Sequence, residues 1–253
     1  MIPHHRFDGR EDAPVLVLSS SLGANLSMWE PQLPALTERF RVLRYDHRGH
    51  GGSDVPPGPY TIADFGQDAV ELLDAAGLER VAFCGLSLGG AVALWLGINT
   101  PERVSQIGVC CSAAKFGTAE IWQERADATR ASGSVEPLVD AVLARWFTES
   151  YRDAHPGTMA QVSKMLVGTP AEGYAASCDA LRDCDLWPAL GRIATPTLVV
   201  SAAADPATPP EQGEAVASAI PGARFVLVPD SAHFANWEQT EAFDAALLGF
   251  FSS

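Results

Sequence analysis

The sequence predicts an α/β protein with a mainly parallel central sheet, and three observations carry that expectation. Short apolar runs of strand length alternate with helical stretches from Val15 to Cys110 and again from Thr197 to the C-terminus, the pattern of strands joined by helical crossovers. No residue from Val81 to Ile98 is charged, yet the run is cut by Gly85-Leu86-Ser87-Leu88-Gly89, so it reads as a buried strand, a sharp turn and a buried helix. From about Lys115 to Leu190 the alternation stops, and helical stretches follow one another without a convincing strand. The chain thus divides into core segments 1–114 and 191–253 around a helical cap at 115–190.

In order, an edge strand near His4 to Phe7 and a turn at Asp8-Gly9 precede the strand Val15 to Leu18. A loop of small residues, Ser19 to Gly23, leads to a helix beginning at Met28 and running to about Arg39. Arg41 to Tyr45 is the next strand, followed by the glycine-rich loop Asp46 to Ser53. A helix from Thr61 to about Ala76 carries Ile62, Phe65, Ala69, Leu72 and Leu73 on one face and ends at Gly77. The strand Val81 to Cys84, the helix Leu88 to Asn99 and the strand Val104 to Cys110 follow. The cap helices are predicted at Ala119 to Ala131, Val135 to Phe147, Gly157 to Gly168 and Gly173 to Arg182. Strands then resume at Thr197 to Ser201 and Phe225 to Val228, and a helix from Asn236 to Phe251 closes the chain.

Composition bounds the function. The chain has 253 residues, 47% of them hydrophobic and 19% charged, values of a globular protein with a large core. Acidic residues outnumber basic ones by 31 to 17, and the net charge of −14 repels phosphate backbones and anionic lipid, so neither nucleic acid nor a membrane is an expected partner. The apolar helix after Ser87 measures about 18 Å at about 1.5 Å per residue, too short for a membrane span of about 30 Å. Five cysteines, an odd number, and an N-terminus without an apolar signal segment point to a reducing cytoplasm. Cys178 and Cys184 have no histidine near them, and Cys84, Cys110 and Cys111 fall on strands or at their ends; all five read as buried small hydrophobes. His47 and His50, with Asp46 beside them, lack a third histidine of matching spacing, so the loop reads as a structural turn held by Asp46 and Arg48. No metal and no cofactor is expected.

The glycines around Ser87 have a chemical reason. A turn this sharp between strand and helix crowds the backbone and requires small flanking residues, and it lifts the serine oxygen to a helix N-terminus, where free N–H groups suit negative charge. Ser87 is the candidate nucleophile. A serine hydroxyl needs a base, and His233, in the loop after Phe225 to Val228, has the imidazole to serve. Asp205, after Thr197 to Ser201, is the acid that would fix its tautomer; Asp230, three residues before His233, is the rival. In a parallel sheet these strand ends share one edge, and the chain order serine, acid, histidine is that of the α/β-hydrolases. The oxyanion hole should use the backbone N–H groups of Leu88 and Leu22.

Several segments together resemble the β-ketoadipate enol-lactone hydrolases of the α/β-hydrolase superfamily: Ser20-Ser21-Leu22-Gly23, Met28 to Gln32, Tyr45 to Gly51, the elbow, Arg145-Trp146-Phe147, Ala204 to Pro210 and Ser231 to Phe234. The resemblance covers nearly the whole chain, although a first edge strand usual in the family is missing and Ser20-Ser21 stands where many relatives carry His-Gly. It implies an enol-lactone substrate with a carboxylate arm, from bacterial aromatic catabolism, opened without a cofactor. An anionic substrate needs a local cation, and the cap offers Arg125, Arg130, Arg145, Arg152 and Lys164, of which Arg145 beside Trp146 is the choice. The cap also holds Trp122, Trp146, Phe147 and Trp187, more aromatic surface than its own small core needs, so Trp122 and Trp146 are assigned to the pocket with Arg145. Other readings are a carboxylesterase, a carbon–carbon hydrolase of meta-cleavage products, and a non-catalytic hydrolase-fold binding protein. The oligomeric state is not legible.

Overall fold

The computed structural model describes residues 1–252. Seven strands form one sheet in the order β1-β3-β2-β4-β5-β6-β7: β1 His5–Asp8, β2 Val15–Ser19, β3 Arg41–Tyr45, β4 Val81–Leu86, β5 Val104–Cys110, β6 Thr197–Ala202 and β7 Arg224–Val228. Only β1 runs antiparallel, against β3 at the edge; every other pairing is parallel. β4 and β6 are buried along their whole length, which is why they read as continuous apolar runs rather than alternating ones. A single strand precedes β2, in accord with the short front of the chain.

The helix expected from Met28 to Arg39 is not continuous. Leu26–Gln32 is a 3-10 turn, and only the short α1 Leu33–Leu36 follows it. Pro31 and Pro34 have no N–H to donate, so the i→i−4 ladder cannot run through them. α2 Ile62–Ala75 starts at a reciprocal cap, in which Thr61 Oγ1 accepts the Asp64 N–H and the Asp64 carboxylate accepts the Thr61 N–H. α3 Leu88–Asn99 packs on β4 and β5. Between β5 and β6 there are α4 Ala119–Ser132, α5 Val139–Trp146, α6 Glu149–Ala154, α7 Pro156–Val167 and α8 Ala171–Arg182, with no strand among the described residues. The expected helix at Val135 to Phe147 begins as a 3-10 turn, Glu136–Leu138, and α6 was not anticipated. α9 Pro210–Ala219 joins β6 to β7, and the last expected helix is broken at Gln239 into α10 Ala235–Glu238 and α11 Thr240–Phe251. No helix of the described residues is long and apolar enough to cross a membrane.

The five cysteines are buried and unbonded. The loop after β3 differs from expectation in one respect. Asp46 does organise it, with Oδ1 accepting the Leu26 N–H at 2.6 Å and Oδ2 the Gly52 N–H at 2.8 Å. Arg48 instead reaches out of the loop and grips both oxygens of the buried Asp68 on α2, at 2.6 and 2.7 Å.

The turn between β4 and α3 shows the crowding that the glycines imply. A Cβ on Gly85 would lie 1.9 Å from the Gly89 carbonyl oxygen, and one on Gly89 would lie 2.2 Å from the Ser19 carbonyl oxygen. Both neighbours are backbone and cannot rotate away. Gly85→Ala is therefore expected to cost about 1–3 kcal/mol or more of stability, read as a lower urea midpoint; an unchanged midpoint would show that the turn has room to spare.

Candidate active site

Ser87 sits between β4 and α3 with φ 58° and ψ −114°, a conformation that a residue with a Cβ rarely adopts. Two contacts, with the end of β5 and the loop just after it, hold it. Its N–H donates to the Cys110 carbonyl at 2.9 Å, and the Ser112 hydroxyl donates to its carbonyl at 2.7 Å. The first turn of α3 carries no acidic side chain, so the helix N-terminus is left open to an anion.

Because β2 to β7 are parallel, the loops that follow them meet at one edge of the sheet. The loop after β6 carries Asp205 and the loop after β7 carries His233, and their side chains meet in a buried pair, with Asp205 Oδ2 2.7 Å from His233 Nδ1. Asp205 is fixed on its other side: Oδ1 accepts the backbone N–H groups of Ala207 at 2.8 Å and Thr208 at 3.0 Å, and Oδ2 accepts the Thr208 hydroxyl at 2.7 Å. A carboxylate accepting from Nδ1–H leaves Nε2 free to accept a proton. Asp230, the rival acid, is exposed and has φ 47° in the turn after β7.

One pocket is lined by Ser87, His233 and Leu22 and, from the helical segment, by Trp122, Arg125, Arg145, Trp146 and Tyr174. Leu88 follows Ser87 as the first residue of α3, and neither the Leu22 nor the Leu88 N–H has a hydrogen-bond partner among the described residues. Trp146 stacks on Phe234 with ring centroids 4.1 Å apart, and its carbonyl accepts the Phe234 N–H at 2.8 Å, so α5 is tied to the residue after His233. Glu238 makes a second tie. It accepts the Ala232 N–H at 2.5 Å with one oxygen and the Thr148 N–H at 2.6 Å with the other.

The five cationic candidates of the helical segment separate cleanly. Arg130 is engaged by Glu172 and Asp179, and Lys164 is exposed. Arg152 does not line the pocket. Arg125 and Arg145 do, and neither forms an ion pair among the described residues. Arg125 lies over the Trp122 ring at 5.1 Å, while the Trp122 indole N–H donates to the Phe116 carbonyl at 2.6 Å. Burial, and after it the charge of Arg125, pull the Arg145 guanidinium below its ordinary value. The sequence names Arg125 only as one of five candidates behind the chosen Arg145; its i+3 spacing from Trp122 was the signal that the two share a helix face.

His47 and His50 are both buried, and their ring nitrogens face backbone groups. His47 Nε2–H donates to the Ser20 carbonyl at 3.0 Å, and His50 Nε2 accepts the Gly23 N–H at 2.9 Å. Burial pushes His47 down to about 3 and lowers His50 as well, so both are neutral.

Residues 14–240 match the family model of the alpha/beta hydrolase fold. A 3-oxoadipate enol-lactonase of Acinetobacter baylyi is 40% identical over 248 residues, covering 98% of this chain and 92% of its own. The crystal structure of the enol-lactonase from Burkholderia xenovorans is 43% identical with a TM-score of 0.96, over 99% of this chain and 96% of that one. A RutD protein of Caulobacter segnis, named for carbamate hydrolysis, is 32% identical over 253 residues, covering 96% of this chain and 91% of its own. The strand–serine–helix turn, the buried Asp205–His233 pair and these similarities along the whole chain lead to one statement: the chain belongs to the α/β-hydrolase family, in the branch that resembles the enol-lactonases.

Proposed function

We propose that the protein is a serine hydrolase that opens the ring ester of 3-oxoadipate enol-lactone, a step of bacterial aromatic catabolism in the cytoplasm. The observation that carries this reading is a pocket in which Ser87 and His233 face two arginines without carboxylate partners. An ordinary neutral ester has no use for such charge, whereas a lactone with an acetate arm presents one ring carbonyl to Ser87 and one carboxylate to Arg145 and Arg125. The names of the enol-lactonase relatives support the same substrate.

In this mechanism His233 Nε2 takes the hydroxyl proton as Ser87 Oγ bonds to the ring carbonyl carbon. Negative charge gathers on the carbonyl oxygen, and the Leu22 and Leu88 N–H groups receive it. The bond to the ring oxygen then breaks; imidazolium returns its proton to the departing enolate oxygen, and the enol tautomerises to a ketone. Water, deprotonated by His233, attacks the acyl carbon; as the bond to Ser87 Oγ breaks the imidazolium returns that proton to Oγ, leaving the free serine and the open-chain keto diacid. Asp205 holds the imidazole and balances its charge throughout. Segment 115–190 acts as the cap, with Trp122 and Trp146 as walls for the ring and Arg145 as anchor for the arm.

A continuous spectrophotometric assay comparing the enol-lactone with 4-nitrophenyl acetate tests the assignment. Comparable kcat/KM values would make the protein a general esterase. Arg145→Ala is expected to raise KM for the lactone about 10- to 100-fold, the worth of one charge-assisted hydrogen bond, and to change KM for the neutral ester less than about threefold. Equal effects on the two substrates would sink the anchor role.

A further inference from the structure

We infer that His50, with His47 beside it, is a positioning residue for the oxyanion hole, holding in place the peptides on either side of the Leu22 amide. The inference rests on the reading above in which the Leu22 N–H is one of the two donors. Three successive peptides make the case. The Ser20–Ser21 peptide has its carbonyl pinned twice, by His47 Nε2–H at 3.0 Å and by the Gly89 N–H at 3.1 Å. The Leu22–Gly23 peptide has its N–H pinned by His50 Nε2 at 2.9 Å. Between them lies the Ser21–Leu22 peptide, whose carbonyl accepts the Ala24 N–H at 3.1 Å and whose N–H is free.

The turn from Ser21 to Ala24 has an alternative that His50 excludes. Gly23 has φ +78°, the value of the third residue in a type II turn. Type I and type II turns differ by a flip of the central peptide, here Leu22–Gly23, and the flip would aim the Leu22 carbonyl where the Gly23 N–H now points. His50 Nδ1 lies 3.0 Å from the Arg48 carbonyl, which can only accept, so Nδ1 carries the proton. Nε2 is then bare: it welcomes an N–H and repels a carbonyl. The ring is thereby set to select one of the two turns. An oxyanion donor lowers a barrier only when it is already aimed, so a loop free to flip would lose part of the stabilisation before the reaction begins.

Two variants separate the ring's two bonds. Asparagine at 50 can place its amide where Nδ1 sits and keep the Arg48 contact, but it is too short to reach Gly23. Glutamine can place its oxygen at the Nε2 position, keeping the Gly23 contact and losing the other. His50→Asn is expected to lower kcat at least about 30-fold with KM changed less than about threefold, for both enol-lactone and 4-nitrophenyl acetate, and to speed amide hydrogen exchange at Gly23. His50→Gln is expected to stay within about fivefold of the parent in kcat. Equal losses in the two variants, or a full rate in His50→Asn with unchanged exchange, would overturn the inference. Faster exchange at Gly23 with an undiminished kcat would overturn it differently, by showing that His50 holds the loop while Leu22 contributes nothing to the hole. The ester makes the outcome independent of substrate: a parent chain that ignores the lactone and cleaves the ester refutes the lactonase reading while the His50 comparison still reads out.

Discussion

Ser87→Ala is expected to lower kcat for the enol-lactone by about six orders of magnitude, leaving the residual acceleration that binding and oxyanion contacts give without a nucleophile. The size follows from what the hydroxyl does. It supplies the atom that forms the acyl bond, and the cysteines cannot replace it: they are buried in the core, with burial holding the Cys110 and Cys111 thiols far above their ordinary values. The change should not disturb the fold, because the contacts that hold residue 87 are backbone ones to Cys110 and Ser112. The purified variant should therefore keep its urea midpoint and bind the lactone with nearly the parent affinity, which isothermal titration would measure. A variant that turns over at more than about a thousandth of the parent rate would show that Ser87 is not the nucleophile.

The sheet and the Ser87, Asp205 and His233 positions were legible for one physical reason: each rests on a local signal just past an apolar strand, β4 and β6 being buried throughout and β7 partly exposed. Gly85 and Gly89 announce the turn, and parallel strands bring their C-terminal ends to one edge whatever lies between. The failures have the opposite character. The helix at Met28 to Arg39 read as helical because its apolar spacing is right, but two prolines outweigh spacing. Arg145 was singled out by its neighbour Trp146, but that Arg125 lines the pocket with it was not legible, since it depends on how α4, α5 and α8 are rotated against one another. Arg130 is taken by Glu172 and Asp179 on α8, far along the chain, while Arg125, five residues earlier on the same helix, is not. His47 and His50 were visible as a pair, but their partners, Ser20 and Gly23, lie 27 residues upstream and no local pattern joins them.

Asp205→Asn is expected to lower kcat by about four orders of magnitude with little change in KM, and the hydrogen bonds around Asp205 say why. Oδ1 accepts two backbone N–H groups, from Ala207 and Thr208, and neither can be turned into an acceptor. An asparagine must therefore keep its oxygen there and put its NH2 group at the Oδ2 position, against His233 Nδ1. That group donates, so Nδ1 gives up its proton and the imidazole takes the tautomer with hydrogen on Nε2. The nitrogen aimed at the pocket then has no lone pair for the Ser87 proton, and the developing imidazolium loses its counter-charge as well. Thr208 does not rescue the arrangement, because its hydroxyl reaches Nδ1 only at 3.4 Å and bears no charge. The NMR signals of the His233 ring in the variant should report the inverted tautomer, with Nε2 protonated at neutral pH. Asp230→Asn serves as the matched control: its side chain is exposed and should leave kcat within about twofold of the parent. A large loss from Asp230→Asn together with a small one from Asp205→Asn would transfer the acid's role to the rival loop. The 2.7 Å contact between Asp205 Oδ2 and His233 Nδ1 argues for the opposite result.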